Sequence, residues 1–318
     1  MKPRAASATE AEQFARDLVS GLAQTPKRTP PKWFYDRAGS ELFEEITRVA
    51  EYYPTRAELE ILEDHAEAIA AAVPAGAFLV EFGAGASTKA RLVLDHLRNV
   101  AGYVPVDISA EFLAGEAARL RRAKPGLKVL PVAADFTKPF ALPPETLGKP
   151  LAGFFPGSTI GNFDPPDAAA FLGHVGRMLT PGATLVIGID LRKDAATLEA
   201  AYDDTAGVTA AFNRNLLVRA NRELDADFDL DGFTHRAVYD AQRGRVEMHL
   251  VSRRRQEVRL AGRTFRFAAG EIIHTESSYK YTVDGFRALA AEAGWRAKAV
   301  WLDAGSLFSV HALTYAAG

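Results

Sequence analysis

The sequence contains no cysteine among its 318 residues, and this absence excludes a large part of protein chemistry. Without thiols the chain forms no disulfides, no thiolate metal site and no cysteine nucleophile, and the composition suits the reducing cytoplasm. Net charge is nearly absent as well, at −2, so no global positive field attracts nucleic acid or an anionic membrane. No apolar window reaches the roughly 18 residues of a membrane span, and Met1-Lys2-Pro3-Arg4-Ala5 does not begin a secretory signal.

Clustered metal ligands are also missing from the sequence. The seven histidines show no close pairing on one helical face, and metal sites need such clusters, so we expect no metal. What is present is ordinary globular composition, with 48% hydrophobic and 25% charged residues. The length allows one large domain or two modest ones. We expect a monomer that acts on a small molecule in the cytoplasm, without a nucleic-acid or membrane partner.

Short apolar segments alternate with amphipathic segments between about residues 78 and 191. The apolar segments have the length of strands, and the segments between them have helical periodicity. This alternation predicts a parallel sheet covered on both faces and built by right-handed crossovers, which is a doubly wound, Rossmann-like α/β fold. The predicted strands are 78–82, 103–106, 129–132, 153–155 and 184–189, and the predicted helices are 88–97, 110–122 and 166–179.

The flanking sequences predict a second domain. About three helical segments come before the sheet, and the last begins at Thr55, where Glu58 completes the pattern of a capping box. After the sheet come a helix through 221–223, antiparallel strands at 235–239 and 246–251, a helix at 283–293, and strands at 298–302 and 308–315. We predict a Rossmann-like domain with a C-terminal antiparallel strand at 56–192 and 282–318, and an α+β domain at 1–55 and 193–281.

A glycine turn follows the first predicted strand, in the run Glu81-Phe82-Gly83-Ala84-Gly85. Glycine permits positive φ and lets a ligand approach the backbone closely. Ser87 is in position to N-cap the next helix, and a helix N-terminus favours an anion. That anion is a pyrophosphate in a dinucleotide enzyme, or a methionine carboxylate helped by Lys89 in a methyltransferase. A G-x-G turn also occurs as a plain strand-to-helix connection without a ligand.

Acidic residues at the ends of the next two strands narrow the choice of ligand. Asp107 ends the second strand, where a carboxylate can accept both hydroxyls of a ribose, and this suits NAD and S-adenosyl-L-methionine equally. Asp135 can accept the adenine amino group while the ring of Phe136 covers the adenine face. Thr88 replaces the third glycine of G-x-G-x-x-G. Together these features favour S-adenosyl-L-methionine as cofactor, although an aspartate at a strand end is often only a helix cap.

Five longer motifs lie outside the glycine turn in a fixed order: Trp33-Phe34-Tyr35-Asp36, Gly39-Ser40-Glu41-Leu42-Phe43, Glu51-Tyr52-Tyr53-Pro54-Thr55-Arg56, Gly157-Ser158-Thr159-Ile160-Gly161-Asn162 and Phe212-Asn213-Arg214-Asn215. From about Pro26 to the C-terminus the chain thereby resembles the histidine-specific methyltransferases of ergothioneine biosynthesis. The resemblance implies three successive methyl transfers to the α-amine of L-histidine, giving hercynine. N-methylation of another amino acid such as tryptophan is the alternative, and a dehydrogenase or a non-catalytic cofactor-binding protein are more distant ones.

The resemblance also implies a role for each matching residue. It assigns the cofactor to Gly83, Lys89, Asp107, Asp135 and Phe136. It makes the second domain the substrate-binding domain and assigns the substrate to Tyr35, Phe43 and Tyr52 around the amine, Asn162 and Tyr202 at the carboxylate, and Thr209, Met248, Glu276 and Ser278 at the imidazole. None of these substrate residues is a histidine or a lysine. We therefore expect the amine to lose its proton to water through the catalytic candidates Tyr35 or Tyr52.

Overall fold

The computed structural model describes residues 10–85 and 88–316. Its helices are α1 (Glu10–Leu22), α2 (Arg37–Ile46), α3 (Tyr53–Asp64), α4 (Ala66–Ala72), α5 (Thr88–His96), α6 (Ala110–Ala123), α7 (Pro165–Leu179), α8 (Ala195–Tyr202), α9 (Val208–Leu224) and α10 (Val283–Glu292). Its strands are β1 (Lys27–Arg28), β2 (Phe78–Phe82), β3 (Gly102–Asp107), β4 (Val132–Ala133), β5 (Leu151–Phe155), β6 (Thr184–Asp190), β7 (Phe233–Asp240), β8 (Arg245–Ser252), β9 (Gln256–Leu260), β10 (Arg263–Phe267), β11 (Ile272–Tyr279), β12 (Trp295–Leu302) and β13 (Phe308–Tyr315). Among the helices in these two ranges, none is long and apolar enough to cross a bilayer.

The chain divides into two compact units. The Rossmann unit contains Tyr53–Asp194 and Ser278–Gly318, and the auxiliary unit contains Met1–Tyr52 and Ala195–Ser277. The predicted bounds, 56–192 with 282–318 and 1–55 with 193–281, differ from this division by a few residues at each junction. Each unit therefore combines two separate segments of the chain.

The Rossmann unit is built on a seven-stranded sheet with the order β12-β13-β6-β5-β2-β3-β4. The five strands from β6 to β4 are parallel, and β13 is antiparallel to both of its neighbours. The chain runs from β2 outward to β4 and then returns to β5 on the other side of β2. Ligands of such sheets bind at the carboxyl ends of the strands beside this reversal. The predicted fold class, a doubly wound sheet with a C-terminal antiparallel strand, is confirmed.

The central strands are held in place by apolar packing on both faces. All five residues of β2 are buried, and alternate residues of a strand point to opposite faces. Phe78, Val80 and Phe82 join one core cluster, whereas Leu79 joins the other, together with Val186 of β6. Burial of each apolar side chain of this size stabilises the folded state by about 1.5–3 kcal/mol. This packing fixes the position of β2 and therefore of the glycine turn at its end.

The N-terminal helices differ from the sequence expectation. From residue 10 onward, four α-helices precede β2 where about three were expected, and α3 begins at Tyr53 instead of Thr55. Pro54 lies in the first turn of α3, where the absence of its N–H costs nothing. Thr55 and Glu58 therefore lie inside the helix, and the predicted capping box is wrong. The third predicted strand, 129–132, is shorter and later than expected, because β4 contains only Val132 and Ala133.

The auxiliary unit contains α1, α2, α8 and α9, a four-stranded sheet with the order β1-β11-β8-β7, and the hairpin of β9 and β10. The antiparallel pairing predicted for 235–239 and 246–251 is confirmed, since His235 lies opposite Leu250 and Tyr239 opposite Val246. Helix α2 begins at the N-cap Asp36, whose Oδ1 accepts the Gly39 N–H at 2.8 Å. The side chain of Asn215 on α9 also donates to Asp36 Oδ1, at 2.8 Å, so α9 anchors the start of α2.

Candidate active site

The glycine turn lies directly after β2. Gly83 has φ +72°, a conformation that favours glycine, and the N–H groups of Gly83 and Ala84 both donate to Val106 O, at 2.9 and 3.0 Å. A Cβ on Gly83 would stand 3.4 Å from Cε1 of Phe136, so the ring of Phe136 lies over the turn. Ser87, the expected N-cap, lies outside the described residues. The structure thus brings together two of the predicted cofactor residues, Gly83 and Phe136.

The ring of Phe136 is fixed from behind by other aromatic rings. Its centroid is 5.7 Å from that of Phe155 and 5.9 Å from that of Phe171, both in edge-to-face geometry. Such pairs contribute about 0.5–1.5 kcal/mol beyond the burial of their area. Phe136 itself is half-buried, so it offers a fixed apolar surface of the kind that can cover a planar base.

The two predicted cofactor carboxylates differ in their electrostatics. Asp107 ends β3, its Oδ1 accepts the Ser109 N–H at 2.8 Å, and burial raises its pKa to about 6. Burial also acts to raise the pKa of Asp135, but hydrogen bonds from Thr137 and the ammonium of Lys138 outweigh it and lower the pKa. Asp135 is therefore ionised at neutral pH, whereas Asp107 takes up a proton in mildly acidic solution.

Lys89 has an internal partner that the sequence did not reveal. Its Nζ lies 2.6 Å from Oε2 of Glu58, a residue that is only 1% exposed. Both carboxylate oxygens of Glu58 also accept the Gly157 N–H, at 2.9 Å. A Cβ on Gly188 would stand 2.0 Å from Glu58 Oε1, so this carboxylate needs a glycine beneath it. An ammonium carries three N–H donors, so Lys89 can keep this ion pair and still bind a ligand carboxylate.

Glu81 is a second buried acid near the turn. It lies on β2, is 2% exposed and accepts a hydrogen bond from the Tyr103 hydroxyl. Burial raises the pKa of Glu81 to about 8, against the lowering effects of Tyr103 and Lys89. Glu81 is therefore mostly protonated at neutral pH and does not add a full negative charge beside Asp107.

Aromatic rings cluster in the auxiliary unit. Tyr35 and Phe43 have centroids 5.8 Å apart, Phe43 and Tyr52 are 6.4 Å apart, and Tyr52 and Tyr202 are 6.1 Å apart, all in edge-to-face geometry. Phe212 of α9 packs against Tyr35 at 5.7 Å and against Phe43 at 6.0 Å. The structure thus brings together four predicted substrate residues. The sequence indicated Phe212 only as part of a motif and did not predict its place in this cluster, because nothing in the sequence shows which face of α9 packs against α2.

The turn between α8 and α9 carries two more of the predicted residues. Tyr202 ends α8 and is 8% exposed, and Thr209 lies in the first turn of α9 and is 3% exposed. The carboxylate of Asp204 accepts the N–H groups of Val208 and Thr209, at 2.9 and 2.7 Å. Oγ1 of Thr209 is buried and has no hydrogen-bond partner within the described ranges. A buried hydroxyl in this state is suited to bind a polar group of a ligand.

Met248 and Glu276 lie on the sheet of the auxiliary unit. Met248 on β8 is 2% exposed, and its carbonyl accepts the Thr275 hydroxyl at 2.9 Å. Glu276 on β11 is 8% exposed, and its backbone carbonyl lies 2.9 Å from Nε2 of His274. A carboxylate this deeply buried is costly unless polar partners compensate it, which sets Glu276 apart from an ordinary surface charge on a strand.

Asn162 and Ser278 lie in the Rossmann unit. Asn162 ends the 3-10 turn Thr159–Asn162 that follows β5, and it is half-buried. A Cβ on Gly161 would stand 2.7 Å from Tyr279 O and 3.5 Å from Ser278 Oγ, so this turn packs closely against the end of β11. Ser278 is 4% exposed, and its Oγ accepts a hydrogen bond from Lys280 Nζ at 2.9 Å.

Behind Ser278 lies a buried charge network that the sequence did not predict. Asp190, at the carboxyl end of β6, lies 2.7 Å from the ammonium of Lys280 and 2.6 Å from that of Lys193, and it accepts the Tyr53 hydroxyl at 2.8 Å. Burial acts to raise the pKa of Asp190, but the two ammonium groups outweigh it and hold the pKa low. Burial lowers the pKa of Lys193 despite the attraction of Asp190. An aspartate ending a buried strand, with Lys193 three residues later, was the available signal, but Lys280 is distant in sequence.

The sheet order with antiparallel β13, the glycine turn after β2 and the acidic residue at the end of β3 define the S-adenosylmethionine-dependent methyltransferases of Rossmann-like fold. Comparison with known families agrees, because residues 14–315 match the model described as "Histidine-specific methyltransferase, SAM-dependent". The chain belongs to this family, and its cofactor is S-adenosyl-L-methionine. Within the described ranges, no group of three or more acidic or histidine side chains could hold a metal ion.

Named relatives support the same family. The chain is 45% identical over 303 residues to the histidine N-alpha-methyltransferase of Mycolicibacterium smegmatis, and the match covers 94% of both chains. It is 45% identical over 293 residues to the protein of that name from Mycobacterium tuberculosis, covering 91% of this chain and 90% of that one. It is also 31% identical to ergothioneine biosynthesis protein 1 of Neurospora crassa, covering 91% of this chain but 33% of the fungal protein.

Proposed function

We propose that this protein transfers three methyl groups in succession to the α-amine of L-histidine and so forms hercynine. The observation that carries the proposal is the aromatic cluster of the auxiliary unit, in which Tyr35, Phe43, Tyr52 and Tyr202 form a continuous series of rings. A trimethylated amine is a permanent cation without an N–H donor, so aromatic faces recognise it where hydrogen bonds cannot. Family membership supports histidine as the substrate.

The same cluster suits the earlier states of the amine. The hydroxyl groups of Tyr35 and Tyr52 can accept hydrogen bonds from an ammonium, which must lose a proton before each transfer because it has no lone pair. We assign to these two tyrosines the transfer of that proton toward water. Phe43 contacts both of their rings and contributes only its aromatic face. The cluster therefore combines proton transfer with an affinity for positive charge that remains when the last proton has left.

The remaining substrate residues provide selectivity. We assign the carboxylate of histidine to the amide of Asn162 and the phenol of Tyr202, which are neutral donors. We assign one imidazole nitrogen to Glu276 and the other to Ser278, two residues apart on β11. A substrate without ring nitrogens forms neither of these two hydrogen bonds in the buried site, at a cost of about 1–3 kcal/mol, or about 5–150-fold in selectivity.

The residues of the Rossmann unit fit the cofactor. When bound, S-adenosyl-L-methionine supplies a methyl group already activated on a sulfonium. We assign the ribose to Asp107, the adenine to Asp135 and Phe136, and the methionine carboxylate to the Gly83 turn and Lys89. Gly83 has a positive φ, which a residue with a side chain adopts only with strain, and a Cβ there would already touch the Phe136 ring at 3.4 Å; a glycine therefore keeps this turn open to a ligand.

A competition assay tests the proposal. The purified protein is incubated with S-adenosyl-L-methionine and an equimolar mixture of the amino acids, and the methylated products are identified by mass over time. We expect methylated histidine alone, with trimethylhistidine as the main product. The Glu276→Gln variant serves as the matched control, since it keeps the side-chain shape but loses histidine selectivity. Trimethyltryptophan as the main product, or no methylated amino acid at all, would overturn the proposal.

A further inference from the structure

A chain of hydrogen bonds connects α9 to the end of α8 inside the auxiliary unit. Nδ2 of Asn213 lies 2.8 Å from Nδ1 of His235 and 3.2 Å from the backbone carbonyl of His249. On the other side of the ring, Nε2 of His235 lies 2.8 Å from the backbone carbonyl of Tyr202. Asn213 is fully buried and the His235 side chain is 2% exposed, so water does not compete for these contacts.

The backbone carbonyl groups of His249 and Tyr202 fix the direction of each of these hydrogen bonds. A backbone carbonyl only accepts, so the Asn213 atom facing His249 O must be the NH₂ nitrogen, which then donates its second hydrogen to His235 Nδ1. For the same reason Nε2 of His235 must carry the hydrogen that it donates to Tyr202 O. Both requirements are met by one form of the ring, the neutral Nε2–H tautomer.

The end of α8 is where Tyr202 leaves the helix, and the last carbonyl groups of a helix have no partner within it. His235 provides that partner for Tyr202. The following turn is held separately, because the Glu51 carboxylate accepts the Thr205 hydroxyl at 2.7 Å and the Asp204 carboxylate accepts the first two N–H groups of α9. Since Glu51 precedes Tyr52 and Thr205 lies three residues after Tyr202, this hydrogen bond links the two segments that carry these tyrosines.

We propose that Asn213 and His235 are positioning residues for substrate binding, which hold the backbone of Tyr202 so that its ring keeps its place beside Tyr52. The proposal rests on the proposed function, which gives Tyr202 the substrate carboxylate. Neither residue is assigned a contact with substrate or cofactor. Three residues of the motif Phe212-Asn213-Arg214-Asn215 would then support the substrate site. Phe212 packs against the aromatic cluster, Asn213 orients His235, and Asn215 donates a hydrogen bond to Asp36, the N-cap of α2.

Protonation of His235 would break this arrangement. An imidazolium donates from both nitrogens, so Nδ1–H would face the NH₂ group of Asn213, donor against donor. The charged groups around the ring act in both directions: Asp203 lies 3.8 Å from Nε2 and, with Asp204, favours the cation, whereas Arg214 disfavours it. Burial is the largest effect and keeps the pKa of His235 below its ordinary value, which preserves the neutral ring.

The experiment combines a spectroscopic measurement with kinetics. In protein labelled with ¹⁵N-histidine, we expect the His235 ring, identified by its absence in His235→Gln, to show the neutral Nε2–H tautomer. We expect Asn213→Leu and His235→Leu to raise the KM for histidine about fivefold or more. The Kd for S-adenosyl-L-methionine should stay within about twofold, because the cofactor residues lie in the other unit. His235→Gln should restore a low KM, because its amide can donate to Tyr202 O.

Asn221→Leu is the matched control on the same helix. The amide of Asn221 bonds the backbone of Phe228, at 2.8 and 2.9 Å, and has no bond to His235 or Tyr202, so this variant should lose stability without a change in KM. An Nδ1–H tautomer, or a folded His235→Leu protein with the wild-type KM, would overturn the inference. An equal rise of KM in Asn221→Leu would also overturn it, since it would show general destabilisation. If the wild type methylates no histidine, the proposed function fails, while the spectrum still tests the hydrogen-bond chain.

Discussion

Replacement of Phe43 by alanine tests the aromatic cluster most directly. Phe43 is the central ring of the series, with centroids 5.8 Å from Tyr35 and 6.4 Å from Tyr52. It has no hydrogen-bonding group, so its removal leaves the proposed proton route through the two tyrosines chemically intact. The substitution therefore isolates the attraction of an aromatic face for a methylated ammonium.

The expected size follows from the energy of a cation–π contact. Such a contact is worth about 0.5–2 kcal/mol, depending on exposure, which corresponds to about 2–30-fold in the retention of a bound cation. Phe43 is only half-buried, so the lower half of this range applies. The dimethylated intermediate should dissociate correspondingly faster relative to its last methylation. Phe43→Ala should therefore release mono- and dimethylhistidine at a stage when the wild type releases mainly the trimethylated product.

The assay is a single time course under excess S-adenosyl-L-methionine, with the three methylated histidines separated by mass. Phe43→Leu provides the matched control, because leucine restores apolar volume without the negative face of an aromatic ring. If Phe43→Ala and Phe43→Leu both release intermediates and Phe43→Tyr does not, the aromatic face is responsible for retaining the methylated intermediates. Unchanged product ratios in Phe43→Ala, or full rescue by leucine, would refute the cation–π argument and leave only packing.

Three further perturbations address proton transfer, cofactor binding and stability. Tyr35→Phe and Tyr52→Phe should lower turnover and alter the pH–rate profile, and a double variant with the wild-type profile would exclude the tyrosine route. Because the pKa of Asp107 is raised to about 6, the affinity for S-adenosyl-L-methionine should fall as pH decreases through that value and the carboxylate protonates. Calorimetric titration from pH 5 to about 8 should show this fall, and Asp107→Asn should bind weakly at every pH. Glu58→Gln removes the buried partner of Lys89 and should lower the free energy of unfolding by about 3 kcal/mol, measured in urea; no loss would contradict a structural role for the ion pair.

The sheet could be predicted from local patterns because its central strands are buried on both faces. Such strands consist mainly of apolar residues, as in β2 and β6, and their limits follow from the turns around them. Prediction failed where the signal is short or ambiguous. The strand β4 has two residues and lies at the edge of the sheet, so its apolar run is too short to define its limits. Thr55 and Glu58 have the spacing of a capping box by chance, although both lie inside α3.

The candidate site was predictable to the extent that topology alone brings residues together. Carboxyl ends of parallel strands meet at one edge, so Asp107 and the glycine turn could be assigned from sequence. The ion pair between Lys89 and Glu58 depends on how α3 packs, and no local pattern encodes that. The substrate residues were assigned through family resemblance, and their individual roles stay proposals. The hydrogen bond between Asn213 and His235 joins residues that nothing in the sequence connects.

The discontinuous origin of the auxiliary unit has a consequence for synthesis of the protein. Lys27 pairs with Ile273 in the sheet of this unit, so its first strand waits for its neighbour until most of the chain has been made. The Rossmann unit has the same requirement, because β13, which inserts between β6 and β12, is synthesised after the other six strands of its sheet. Pairings over such separations are slow to form, and early segments stay exposed meanwhile. Each unit therefore completes its sheet only after its second segment has been synthesised.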